Sequence, residues 1–407
     1  MALEVVAPES VGLNSSQLAR VTRHLEARYL QPRKICGCIT LVARRGQVCF
    51  LDVQGQRDLE RGESMTEDTI LRIYSMTKPI TSLALMTLFE RGLVTLDDRV
   101  DRYIPAWRDL RVWQAGSYPA FATKACDAPM TVRHLLTHTS GLTYDFMRAD
   151  NIDYAYRKAQ IGRARPGYTL SDMIDELSQM PLLFSPGERW NYSLATDVVG
   201  HLVEIISGRS LPEYLQETVF GPLDMTDTAF QITPDKVSRF ASCYERGVDK
   251  QLRLQDDGQN SAFRERSFFS GGGGLISTVG DYYRFCAMLL NGGTLDGQRI
   301  IGSRTLRTMS ANHLPNNADL TALATGSFSE SAYEGVGFGL GFASKLDPVA
   351  NGHPASRGSF LWGGLASTLF WVDPTEELVV VFATQLMPSS TFDFRGQLEN
   401  MIYAALN

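Results

Sequence analysis

Strand-like sequence lies at both ends of this chain, and helix-like sequence lies between. Near the start, "GCITLVARRGQVCFLDVQG" places two β-rich runs around Arg45-Gly46, a tight-turn pair. Near the end, "SFLWGGLASTLFWVDPTEELVVVFATQL" has the same character, with Asp373-Pro374 as a turn. The economical architecture is one α/β domain built from both termini, residues 1–95 and 260–407. A mostly helical domain, residues 96–259, is inserted between them. The two would meet in a cleft, and clefts between domains are favoured ligand sites.

The helical expectations rest on spacing and caps. Residues 76–91 are densely apolar and stop at Gly92. "TVRHLLTHTSGL" opens on Thr131, a good N-cap. "ATDVVGHLVEIISG" spaces its apolar residues at three and four and stops at Gly208. "STVGDYYRFCAMLLNGG" opens with capping-box spacing, Thr278 to Asp281, and closes on Asn291-Gly292. The last stretch, "RGQLENMIYAALN", reads as helix.

The 407 residues are 44% hydrophobic and 21% charged, ordinary globular values. A net charge of −6 argues against a nucleic-acid partner, which normally selects a basic surface. The N-terminus lacks a basic start followed by an apolar block. No run approaches the roughly 20 apolar residues of a membrane span. Six cysteines are few for this length, and free thiols in a reducing compartment are expected. The expectation is a cytoplasmic protein. Cys36 and Cys38 form C-x-C, neither the redox spacing nor a zinc pair.

The chemistry starts at "LRIYSMTKPITSLALM". Ser75 and Lys78 are i and i+3, so on a helix they share a face. A serine at a helix N-terminus sits near unpaired N–H groups, which stabilise a negative tetrahedral intermediate. A lysine among apolar neighbours is deprotonated more easily and becomes a usable base. S-x-x-K is too short to be evidence alone, and chemistry of this type needs two further parts. One is a second proton handler, offered by Tyr192 in "FSPGERWNYSLATDVVG". The other is a strand facing the nucleophile, offered by Trp362-Gly363-Gly364, whose glycines let a substrate approach closely.

Other candidates fit less well. Ser310 in "MSANHLP" gives S-x-N but reads as a loop cap. The glycine run 271–274 fits no phosphate-binding pattern and reads as a tight connection. His134 and His138 have i, i+4 spacing but lack the H-E-x-x-H glutamate, so both read as structural. G-x-S-x-G is missing, which leaves an α/β-hydrolase elbow unsupported.

Seven blocks in order, from about residue 35 to 385, resemble the serine β-lactamase-like family, with the class C β-lactamase fold and its family VIII carboxylesterases. They include "MTEDTILRIYSMTKPITSLALM", "MTVRHLLTHTSGL", "FSPGERWNYSLATDVVGHLVEIISG", "GGGGLISTVGDYYRFCAMLLNGG" and "LWGGLASTLFWVDP". The resemblance implies a DD-peptidase-like fold: an antiparallel sheet flanked by helices, plus an all-α insertion. It implies that Ser75 is the acylated nucleophile, Lys78 its partner, and Tyr192 the tyrosine of Y-x-N. The backbone N–H groups of Ser75 and Leu365 would form the oxyanion hole, beside Trp362, Gly363 and Gly364. Two departures narrow the substrate. Leu194 stands where β-lactamases carry the Y-x-N asparagine, and Trp362 where they carry the K-T-G lysine. Both remove handles for a charged, amide-bearing substrate.

The resemblance, which extends to lovastatin-type acyltransferases, implies hydrolysis of short- to medium-chain carboxylic esters through an acyl-enzyme on Ser75, with acyltransferase and weak β-lactam-hydrolysing side activity. The small-molecule ester is the expected partner, and no cofactor or metal is expected. A β-lactamase or D-amino-acid peptidase, and a non-catalytic binding module of the same fold, are the rivals. The aromatic-rich segment 144–160 is expected to line or cover the pocket.

Overall fold

The computed structural model describes residues 3–325 and 333–407. Its centre is an eight-stranded antiparallel sheet that draws on both ends of the chain. In spatial order the strands are Val336–Phe338, Ala343–Lys345, Phe360–Gly364, Thr368–Asp373, Leu378–Thr384, Gly37–Arg44, Gln47–Asp58 and Glu63–Ser64. The seam between the ends is the pairing of Gly37–Arg44 with Leu378–Thr384, in register from Cys38 opposite Thr384 to Arg44 opposite Leu378. Both strands are buried along their whole length. That explains why they read as continuous apolar runs and not as alternating ones.

The turns follow their residues. Arg45 and Gly46 both have positive φ, 52° and 76°, the two-residue hairpin geometry that matches strand twist. The Asp373 carboxylate accepts from the N–H groups of Thr375 and Glu376 at 3.0 and 3.2 Å and so closes the turn at Pro374.

Helices cover both faces of the sheet. On one, Tyr282 of helix Val279–Leu290 packs its ring 5.1 Å from Phe370. On the other, Phe394 of helix Phe394–Tyr403 packs 5.0 Å from Phe382. Helix Ser15–Leu25, capped by Asn14, joins that second layer, where its Thr22 carbonyl accepts from Gln54 Nε2. Residues 96–259 supply no strand to the large sheet. They hold helices, among them Asn151–Ala159, Leu170–Ser178 and Ala195–Ser207. They also hold an exposed hairpin, Arg111–Ser117 with Ala120–Ala125, which the sequence reading did not foresee. The helix expected at 76–91 spans Thr77–Glu90 and is buried nearly all round, so it lacks a polar face. The terminal helix ends at Tyr403, short of the expected stretch.

One buried ion pair ties the sheet to its cover. Lys345 Nζ on the strand Ala343–Lys345 lies 2.8 Å from Glu399 Oε2 on the terminal helix, each side chain 1% exposed. Burial pushes the Lys345 ammonium down from its ordinary pKa, and the Glu399 carboxylate opposes that shift. Lys345→Met leaves Glu399 charged and unpaired, and a loss of about 3–5 kcal/mol is expected in urea unfolding. Lys345→Met combined with Glu399→Leu is expected to recover most of that loss. Equal destabilisation of the single and double variants would show that packing, not charge, holds this contact.

Candidate active site

Ser75 sits in a single 3-10 turn, Tyr74–Met76, that leads directly into helix Thr77–Glu90. The turn is entered through Tyr74 at φ 40°, a left-handed conformation that costs a non-glycine residue about 1–3 kcal/mol. Tyr282 Oη donates to the Met76 carbonyl at 2.9 Å, and Thr77 Oγ1 accepts from Leu275 N at 3.1 Å. The nucleophile turn is therefore held from the sheet-covering helix and from the segment before it. Ser75 itself is half-buried, and so open to a substrate.

Lys78 is 1% exposed. Its Nζ lies 3.4 Å from Ser75 Oγ, as the i, i+3 spacing predicts. The same nitrogen donates to the Gly272 carbonyl at 2.6 Å and to Tyr144 Oη at 2.9 Å. It stands 4.5 Å from the centre of the Tyr192 ring. Tyr192 is fully buried on the loop before helix Ala195–Ser207. Sequence reading thus brought together three residues that the fold places around one nitrogen.

The wall behind Tyr192 is aromatic. Trp362 is fully buried with its ring 5.5 Å from Tyr192. Leu194 is buried too, and its side chain packs on Gly162, where a Cβ would lie 2.8 Å from Leu194 Cδ2. Leu194 presents no polar group, and Trp362 presents no charged one. The strand Phe360–Gly364 packs against the nucleophile turn. A Cβ on Gly364 would collide with the carbonyl oxygen of Ile73, so only glycine permits this approach. Gly364 turns its own carbonyl into the hairpin, accepting from Ser367 N at 2.9 Å. Period-two alternation then points the Gly363 peptide groups and the Leu365 N–H the opposite way. Leu365 is half-buried at that turn.

Several residues at the centre were not singled out from sequence. Tyr144, the first residue of the aromatic segment 144–160, reaches Lys78 directly, and Phe146 stacks on it at 4.6 Å and is 46% exposed. The glycine run 271–274 is a connection, as read, but its carbonyls also form part of the site floor. Gly271 O accepts from Thr81 Oγ1 at 2.8 Å, beside the Gly272–Lys78 contact. Asp197, in the first turn of helix Ala195–Ser207, is buried and accepts from Ser270 Oγ and from Gly272 N. Of these, the run of glycines beside Ser270 and the aromatic segment that begins at Tyr144 carried a sequence signal, and Asp197 carried none.

Of the other candidates, only His138 lies beside this chemistry. His134 closes a capping box with Thr131. His138 packs 4.9 Å from the Tyr192 ring and contacts Ser193 Oγ at 3.2 Å. Burial, then the Lys78 charge, hold its imidazole well below its ordinary pKa, so it sits there neutral. Ser310 ends helix Ser303–Ser310 and donates to the Leu306 carbonyl. Cys36 and Cys38 are buried free thiols, and burial pushes Cys36 up to about 12 and Cys38 well above its ordinary value. Among the described residues, no cluster of His, Cys, Asp or Glu could hold a metal ion. No helix there is long and apolar enough to cross a membrane.

The model of the Beta-lactamase family matches residues 22–401. Esterase EstB of Burkholderia gladioli is 30% identical over 396 residues, covering 93% of each chain. The monacolin J acid methylbutanoyltransferase of Aspergillus terreus is 28% identical over 393 residues, covering 92% of this chain and 93% of its own. Among solved structures, EstCE1, a hydrolase with promiscuous acyltransferase activity, superposes with a TM-score of 0.77 at 26% identity, over 96% of this chain and 98% of its own. The expected fold, an antiparallel sheet with flanking helices of the class C β-lactamase and DD-peptidase kind, is the one observed. The chain belongs to the Beta-lactamase family, and within it is homologous to the serine esterases and acyltransferases of the family VIII type.

Proposed function

We propose that this protein is a serine esterase that acylates Ser75 and passes the acyl group to water or an alcohol. The observation that carries the reading is the buried Lys78 amine 3.4 Å from Ser75 Oγ. A neutral amine has two N–H donors and one lone pair. With its donors turned to the Gly272 carbonyl and Tyr144 Oη, the lone pair is directed at the Ser75 hydroxyl.

Ser75 Oγ attacks the ester carbonyl as its proton moves to Lys78, with Tyr192 sharing the transfer. The carbon–oxygen bond to serine forms, and the carbonyl oxygen becomes an oxyanion. The N–H groups of Ser75 and Leu365 hold that charge, assisted by the start of the helix. The tetrahedral species collapses, and the alcohol leaves with the proton returned through Tyr192. Water or a second alcohol repeats these steps in reverse and frees Ser75.

Trp362 and Leu194 support an uncharged ester over a β-lactam or peptide. An amide side chain would find no hydrogen-bond partner on Leu194, and a carboxylate would find no positive charge on Trp362. Losing two such contacts, one of them charge-assisted, costs about 100-fold or more. The kcat/KM for p-nitrophenyl butyrate is therefore expected to exceed that for nitrocefin by at least about 100-fold. Faster turnover of nitrocefin would overturn the ester reading. A fluorophosphonate is expected to add once, at Ser75, and no adduct would favour a non-catalytic binding module.

A further inference from the structure

We propose that Asp197 is a positioning residue for Lys78, gripping Gly272 from behind while supplying a fixed negative charge to the site. The inference rests on the reading of Lys78 as the base for Ser75.

The geometry is a clamp around one glycine. Asp197 accepts the Gly272 N–H at 3.1 Å, and the Gly272 carbonyl accepts from Lys78 Nζ at 2.6 Å. A side chain at position 272 would collide with Asp197 Oδ2 and lie 2.9 Å from Tyr144 Oη, so the carboxylate, the phenol and the amine crowd the same small volume. Asp197 is 1% exposed, and its Oδ1 is also held by Ser270 Oγ. Its Oδ2 is buried and takes no hydrogen bond from the described residues. A buried carboxylate oxygen without a donor is costly unless the charge itself is used.

A charge in that position acts on Lys78. Burial raises the Asp197 carboxyl above its ordinary pKa, and the Lys78 charge, Ser270 and the Gly272 N–H pull it back. The Lys78 contribution is reciprocal: what favours the carboxylate also favours the ammonium. Around Lys78 the titratable groups are Tyr144 from the 144–160 segment, Tyr192 and His138 from the aromatic wall, and Asp197 from helix Ala195–Ser207. His138 is held neutral by its burial and by the Lys78 charge. Asp197 thus offsets the desolvation that would otherwise leave Lys78 too weak a base to take the serine proton.

Asp197→Asn keeps the shape and the acceptor oxygen but removes the charge. The acid limb of kcat/KM is expected to move down by about one pH unit, because the Lys78 ammonium loses its counter-charge. The maximal kcat is expected to fall about tenfold, because a weaker base accepts the serine proton less readily. Ser270→Ala, which withdraws one donor from the same carboxylate, is expected to shift the limb the same way by less. Ser270→Ala decides the matter if Asp197→Asn does not fold. A purely structural Asp197 would lower Tm and the active fraction while leaving the limb where it is in both variants, and that result would overturn the inference. Fluorophosphonate labelling keeps the two readings apart. An unmoved limb with Ser75 still labelled sinks the role of Asp197 alone, whereas an unlabelled wild-type Ser75 sinks the underlying esterase.

Discussion

Lys78→Ala is expected to lower kcat/KM for p-nitrophenyl butyrate by about 10³-fold, within the range for losing a positioned general base. The side chain is buried and makes its contacts inside the site, so no solvent group can replace it. Deleting it also removes its hydrogen bonds to the Gly272 carbonyl and Tyr144 Oη. Some of the loss therefore reflects disordered neighbours, and Lys78→Met, which keeps the stem, isolates the amine. In the wild type, activity is expected to fall on the acid side as the amine protonates, and in Lys78→Met that limb should vanish. Near-normal kcat in either variant would remove Lys78 from the mechanism and leave Tyr192 as the sole proton acceptor.

Gly364→Ala is expected to lower kcat by about 10²-fold with a smaller change in KM. The added methyl group collides with the Ile73 carbonyl, two residues before the nucleophile. Either the strand or the nucleophile turn must move, and a displacement near 1 Å between reacting groups costs about that factor. The loss should fall on kcat, because the Leu365 N–H matters most once the oxyanion has formed. A control lies at Gly46, on the opposite hairpin, where a Cβ meets no atom within 4 Å. Gly46→Ala carries its own strain from positive φ, so it tests whether lost stability alone lowers kcat. Equal losses of kcat in the two variants would detach Gly364 from the oxyanion site.

The parts of this site that are local in sequence, or that carry a pattern, were legible. Ser75 and Lys78 are three residues apart, so helix geometry alone puts them together. The sheet was legible because its strands are buried and β-rich, and because each end carries strong turn residues. Tyr192 and the strand at 362–365 became legible through resemblance, since nothing in a lone tyrosine says what it faces. The segment opening at Tyr144 was expected at the pocket, but the contact of Tyr144 with Lys78 and the roles of Asp197 and Gly272 stayed hidden because they exist only after folding. Gly272 contributes a carbonyl, which every residue has. Asp197 looks like an ordinary acidic residue in a helix's first turn, where the dipole favours one. The hairpin 111–125 was missed because its strands are mostly exposed and mix small, polar and aromatic residues, so period-two alternation is weak.

The seam of the large sheet orders events during synthesis. Gly37–Arg44 leaves the ribosome before its neighbour Leu378–Thr384, with all of residues 45–377 made in between. Until then the first strand has one unpaired apolar edge, which is the condition for pairing with the wrong chain. The strand that faces Ser75 emerges just ahead of that late partner, and it pairs through Thr368–Asp373 into the same seam. Contacts this distant in sequence form slowly, because loop closure comes before any gain from packing. Ser75 and Lys78 are therefore translated long before the strand edge that completes their site. Through that interval the nascent chain carries the nucleophile without the means to stabilise an acyl-transfer transition state.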